Sequence, residues 1–162
     1  MRGSPTAPAA EPLPKDPHVK IVINACFGGF GLSDAAVVAY AQRKGFTVYA
    51  ERKNSLFVDY WTVPPEQRQR DLEDGEWQAM SAAEREAHNS RYAAEHFSVS
   101  DIKRDDADLV AVVEQLGETA NCRFSKLVVV EIPDDVQWEI SEYDGSEHVA
   151  EQHRTWYGSD DE

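Results

Sequence analysis

Two periods organise the apolar and polar positions of this chain. Residues 20–25 form a short apolar run that predicts a buried strand. The run breaks at Cys26-Phe27-Gly28-Gly29-Phe30-Gly31, where three glycines in four positions demand a tight backbone turn or the close approach of another group. A helix follows, with Ser33 as its N-cap and Asp34 favourable to its dipole. Val37, Tyr40 and Ala41 recur at helical spacing, Arg43 and Lys44 suit the last turn, and Gly45 fits the position just beyond. Residues 46–50 and 56–63 read as a hairpin of β-branched and aromatic strands joined by a loop at 51–55.

Pro64-Pro65 closes that hairpin, and a long polar excursion runs over 66–97. Its second half is a helix opened by the capping box Ser81-Ala82-Ala83-Glu84. Asp105 or Asp106 caps another helix, in which Leu109, Val112, Val113 and Leu116 make one apolar stripe before Gly117 stops it. Residues 127–132 form a strongly apolar strand, Pro133-Asp134-Asp135 a turn, and 138–143 the returning strand of a C-terminal hairpin. Asp144-Gly145 turns again, and Ser146 is expected to cap a short helix reaching Arg154. The order predicts a single α+β domain with a mixed sheet of about five strands. Its β-α-β start makes the first two strands parallel through a right-handed crossover.

Length and composition bound the organisation. A chain of 162 residues with 41% hydrophobic content supports one domain with a real core. Residues 1–18 hold five of the eight prolines and read as a disordered, extended tail. The domain is expected over 19–157, with a flexible acidic tail at 158–162. No apolar run approaches membrane-spanning length and no apolar leader is visible, so a cytoplasmic protein with reduced thiols is expected.

Charge changes the picture more than composition does. The net charge is -14, and residues 131–162 carry eleven carboxylates against one arginine, a net -10 of that total. Such a chain is not expected to bind a nucleic-acid backbone or anionic lipid directly. The acidic stretch reads as a solvated face or as a surface that fills a basic groove on a partner.

The segments CFGGFGLS, SAAEREAHNSRYAAEHF, RDDADLVAVVEQLG and VVEIPDDVQWEISEYDG, with HRTW near the end, occur in this order over residues 20–156. Together they resemble a family of small bacteriophage and prophage proteins. The resemblance implies an accessory factor expressed in the cytoplasm of an infected bacterial cell. It carries over no site residues, and the proline-rich leader lies outside the pattern.

Two candidate surfaces and one weak chemical centre emerge from the residues. A small nucleotide-like or phosphorylated ligand could sit at the glycine turn, on Gly28, Gly29, Phe30, Gly31 and the helix start at Ser33. Asn89, Arg91, Tyr92 and Arg104, with Arg85 and Arg123, would supply bidentate bonds and stacking. The spacing is neither GxGxxG nor a P-loop, and a tight turn with Phe27 and Phe30 packed into the core or across an interface is the plainer reading. The second surface is the acidic C-terminal third, with Asp134, Asp135, Glu139 and Glu142 around the aromatics Trp138, Tyr143 and Trp156.

Cys26 lies between a strand and a helix N-terminus, which could activate a thiol, yet no histidine has a spacing that makes it the required base. Glu147 and Glu151 share a spacing of four, and His148 and His153 one of five; neither points to a metal site. No metal and no cofactor is expected. The leading expectation is a non-enzymatic accessory protein that binds a host protein, as inhibitor or modulator. A nucleotide-binding sponge is the alternative, and a small hydrolase or transferase using Cys26 a second; self-association is a further partner option.

Overall fold

In the computed structural model, residues 17–154 and 156 are described. Strand β1 (His18–Asn24) starts one residue inside the expected tail, and residues 158–162 lie outside the described set. Helix α1 (Asp34–Lys44) is capped as its sequence predicts: the Ser33 hydroxyl accepts from the Ala36 amide, and Gly45 closes the helix at φ 83°. Helix α4 (Ala107–Leu116) is capped by Asp106, whose carboxylate accepts from the amides of Asp108 and Leu109. The two helices bury Ala36, Val37, Tyr40, Leu109, Val112 and Val113 in one cluster with Val22 and Leu127. Lys44 spans them, with Nζ 2.8 Å from Asp106 and 3.0 Å from Asp108.

The chain is a single α+β domain, and the strand pairs among its described residues are all antiparallel. This corrects the expected mixed sheet. Strand β1 pairs with β5 (Leu127–Pro133), from His18 opposite Pro133 to Asn24 opposite Leu127. It does not lie parallel to β2 (Tyr49–Arg52). The reason is burial: every residue of β2 is exposed, whereas a strand inside a parallel sheet is covered on both faces. The apolar run of β5 supplies the matching partner. Strand β2 instead pairs with β3 (Val58–Trp61), and β3 with the two-residue β4 (His96–Phe97).

Between β3 and β4 runs the expected excursion. It contains a 3-10 turn at Pro65–Gln67, the short helix α2 (Glu76–Ala79) and α3 (Ala82–Glu95). The capping box at Ser81 and Glu84 is formed on both sides. Helix α3 is exposed along most of its length, and its buried Glu95 ties it back by accepting from the Gln69 amide and from Arg91.

The C-terminal hairpin is one element later than expected. Strand β6 (Trp138–Tyr143) pairs with β7 (Ser146–Glu151), so 146–151 is a strand and not a helix. The connecting residues decide this. Asp144 and Gly145 have φ of 49° and 83°, the left-handed pair of a type I′ turn, whose twist sends the chain straight back along β6. Along β1 the side chains alternate: Val22 joins the helical cluster, which leaves Ile21 and Ile23 on the opposite side, where β7 packs. The β1–β5 ribbon thus lies between two helices and a hairpin.

Candidate functional site

The glycine turn is built by close backbone contact. A Cβ on Gly28 would lie 1.8 Å from the Phe124 carbonyl oxygen, and one on Gly31 would lie 2.8 Å from the Cys122 sulfur. On Gly145 a Cβ would lie 2.8 Å from the Gly29 nitrogen. Three loops therefore meet here: the glycine turn, the segment 122–126 and the β6–β7 turn. At Gly28 and Gly145 glycine is required because backbone approaches backbone, and at Gly31 because the Cys122 side chain does, so no ligand is needed to explain them.

Asn24 knots the three together. It is fully buried at the end of β1. Its Nδ2 donates to the Cys26 carbonyl at 2.8 Å and to the Gly145 carbonyl at 2.6 Å, while its Oδ1 accepts from the Lys126 amide at 2.8 Å. A buried amide with both ends satisfied fixes loop geometry that apolar packing alone leaves free. Sequence reasoning missed Asn24, although a polar residue closing an apolar strand was the available signal.

Arg104 and Glu147 complete the frame. Arg104 Nη1 and Nη2 each lie 2.8 Å from a Glu147 oxygen, and Nη1 also donates to the Val22 carbonyl at 3.2 Å. The Asn24 backbone N–H donates to Glu147 Oε2 at 2.8 Å. Burial pushes the Glu147 carboxyl up, but Arg104 and the Asn24 amide outweigh it and hold the group below its ordinary value. The Arg104 guanidinium also lies 3.3 Å from the centroid of the Phe30 ring. Arg104, expected as a ligand-binding residue, is thus already committed to an ion pair, a carbonyl and a ring.

The other members of the expected ligand set do not gather at the glycine turn. Asn89, Arg91 and Tyr92 sit exposed on α3; Arg91 bonds Glu95, and the Tyr92 ring stacks on His96. Arg85 donates to the Trp77 and Gln78 carbonyls. Ser33 is spent on the helix cap and on a bond to the Thr119 carbonyl. Asp34 takes up the helix start by accepting from Tyr60 and from Arg52.

A depression of about 370 Å³ opens where the glycine turn meets the β6–β7 turn. Phe27, Phe30, Glu142, Asp144 and Glu147 surround it. Phe27 is 71% exposed, so of the two placements expected for it, in the core or across an interface, the core is excluded. A phosphate would face carboxylates here, so the wall favours a cationic guest. Glu142 and Glu147 are directly opposite in the hairpin, an unfavourable like-charge pair unless each has its own partner. Glu147 has Arg104, and Glu142 accepts from the Gly145 amide at 2.6 Å.

The acidic set divides over the hairpin. Alternation puts Trp138 and Glu142 on one face, Glu139 and Tyr143 on the other. Trp138 is half-buried at the far end from the turn, whereas Tyr143 closes the turn and is 79% exposed. Asp134 and Asp135 are exposed beyond the end of β5, and Trp156 is exposed after β7. Of the expected protein-binding residues, Glu142 lines the depression beside the glycine turn, while Tyr143, next to it in the strand, faces the other side of the hairpin.

Cys26 hydrogen-bonds the Asn24 Oδ1 and the Phe124 carbonyl, each at 3.3 Å. Neither acceptor is a base at neutral pH, so nothing in contact can take the thiol proton. Among the described residues, no group of three or more histidine, cysteine, aspartate or glutamate side chains is placed to hold a metal ion. No helix among them is long and apolar enough to cross a membrane. No protein family, curated protein or solved structure matches this chain.

Proposed function

We propose that the protein acts by binding, and that it holds a partner protein through the acidic, aromatic end of the β6–β7 hairpin. One observation carries this reading. The turn brings Glu142 and Asp144 beside the exposed Phe27, around a depression of about 370 Å³, and Tyr143 lies exposed on the other face of the hairpin end. Carboxylates bordered by aromatic faces suit lysine and arginine side chains, which gain Coulomb attraction and cation–π contact at once. A net charge of -14 speeds the approach of a basic partner surface and makes the encounter sensitive to salt.

The frame beneath supports the same reading. Asn24 and the Arg104–Glu147 pair hold the three loops rigid, so the surface is ordered before a partner arrives and less conformational entropy is lost on binding. In the phage setting that the segment order resembles, the partner is a host protein and the outcome is inhibition or modulation. Capture from bacterial lysate by the full chain tests this, with wild type set against a Phe27→Ala, Glu142→Gln, Asp144→Asn variant. The expected result is one retained protein, released by salt and lost with the variant.

A further inference from the structure

On the other side of Phe30 from the acidic depression lies a groove of about 660 Å³. Its walls come from the glycine turn, the start of α1, the β2–β3 loop and the segment 121–124. Its size falls within the range of about 300–1,000 Å³ usual for small-molecule sites.

The lining departs from the rest of the molecule in charge. The chain holds 30 acidic and 16 basic residues, yet this groove has two arginines, Arg52 and Arg123, and a single carboxylate, Asp34. Arg52 is matched: its Nη2 lies 3.0 Å from Asp34, whose other oxygen accepts from Tyr60. Arg123 forms no ion pair among the described residues; it is exposed, 5.8 Å from the centroid of the Phe124 ring. The groove therefore offers one uncompensated guanidinium.

Its apolar part combines aliphatic side chains, such as Leu56 and Val99, with aromatic ones. Phe30, Phe57 and Phe124 line it, and Phe57 is 63% exposed. Phe57 is held by the loop rather than by packing: Asn54 Oδ1 accepts from the Leu56 and Phe57 amides at 2.8 and 3.0 Å. An exposed phenyl ring and an unpaired guanidinium lining one groove can together stack on a ring and clasp its charged substituent.

We propose that this groove binds a small planar aromatic molecule carrying one anionic group, its ring against Phe57 and Phe124 and its charge on Arg123. A nucleoside monophosphate and an aromatic carboxylic acid share that chemistry. The site is separate from the acidic surface and does not depend on it.

Calorimetric titration of the full chain tests the assignment with adenosine and guanosine monophosphates in one arm and indole-3-acetate and benzoate in the other. Adenosine and indole are the uncharged controls. At least one anionic probe is expected to bind at least tenfold more tightly than its uncharged control. Arg123→Gln should weaken it at least tenfold and Phe57→Ala at least fivefold. Both substituted side chains are exposed, and circular dichroism melting confirms that the variants fold. Glu142→Gln with Asp144→Asn should leave the affinity unchanged. The arm that binds identifies phosphate or carboxylate as the anion. The proposal fails if no probe binds, or if binding is indifferent to both groove variants. It also fails if those variants abolish capture of a protein partner, which would assign the groove to a protein interface.

Discussion

Arg104 holds Glu147 in a fork, Nη1 on Oε2 and Nη2 on Oε1, each at 2.8 Å, across the outer edge of β1. The side chains are 19% and 8% exposed, so little water screens the pair. Removing one partner leaves a charge in a nearly dry site. Arg104→Met is expected to cost about 3–5 kcal/mol in urea unfolding. The double variant with Glu147→Met should recover part of that loss, because it leaves no orphan charge.

The same pair sets a pH dependence. The Glu147 carboxyl is held below its ordinary value of 4.5, so its contribution to stability is fully present above that pH and is lost as pH falls through the depressed value. Glu95, lowered by Arg91, and Asp108, lowered first by Lys44, add to the same acid limb. In Arg104→Met, burial of Glu147 is no longer offset by a cation. The acid-unfolding midpoint, followed by circular dichroism, should therefore move to higher pH.

Gly28 tests whether the turn is a packing device. With a Cβ directed at the Phe124 carbonyl, Gly28→Ala forces the two loops apart and should cost about 1–3 kcal/mol. Gly29→Ala meets no atom within 4 Å and strains only a φ of 113°. A lower melting temperature for the first variant than for the second is expected from differential scanning calorimetry.

Cys26→Ser keeps a donor toward Asn24 Oδ1 and the Phe124 carbonyl. Partner binding measured by surface plasmon resonance should stay within twofold of wild type. Loss of function on this substitution, with the fold intact, would point to thiol chemistry.

Much of the scaffold was legible in the sequence because its signals are local. Ser33 and Gly45 bracket α1, the Ser81–Glu84 box opens α3, and the stripe through Leu109 and Val113 marks α4. Strand pairing was less legible, since nothing near β1 says that its partner lies about a hundred residues away. The expected second strand ran over 46–50, with Glu51 and Arg52 in the loop; the strand forms at Tyr49–Arg52 instead, a stretch too polar to be covered on both faces. The Asp144-Gly145 turn carried its own hairpin signal, and reading Ser146 as a helix cap set that signal aside.

The candidate site was half legible. The glycines announced a crowded turn, and the acidic third announced a charged surface. Their meeting depends on Asn24, Arg104 and Glu147, which come from three distant segments and are joined only by the fold. Asn89, Arg91 and Tyr92 were grouped with Arg104 by residue type but lie on the α3 excursion, where Arg91 bonds Glu95 and Tyr92 stacks on His96.

The central claim is that the molecule works through the acidic, aromatic end of its hairpin. Its most direct test is a calorimetric titration of the captured partner, once identified by mass spectrometry, into wild type and into a variant carrying Phe27→Ala, Glu142→Gln, Tyr143→Ala and Asp144→Asn. These side chains are exposed, and the substitutions keep the Gly145 amide bonded and the turn in its left-handed conformation, so stability should change by only about 0.5 kcal/mol per site. The account predicts an affinity at least tenfold weaker, with a shallower dependence on salt. An unchanged affinity in a folded variant would contradict it.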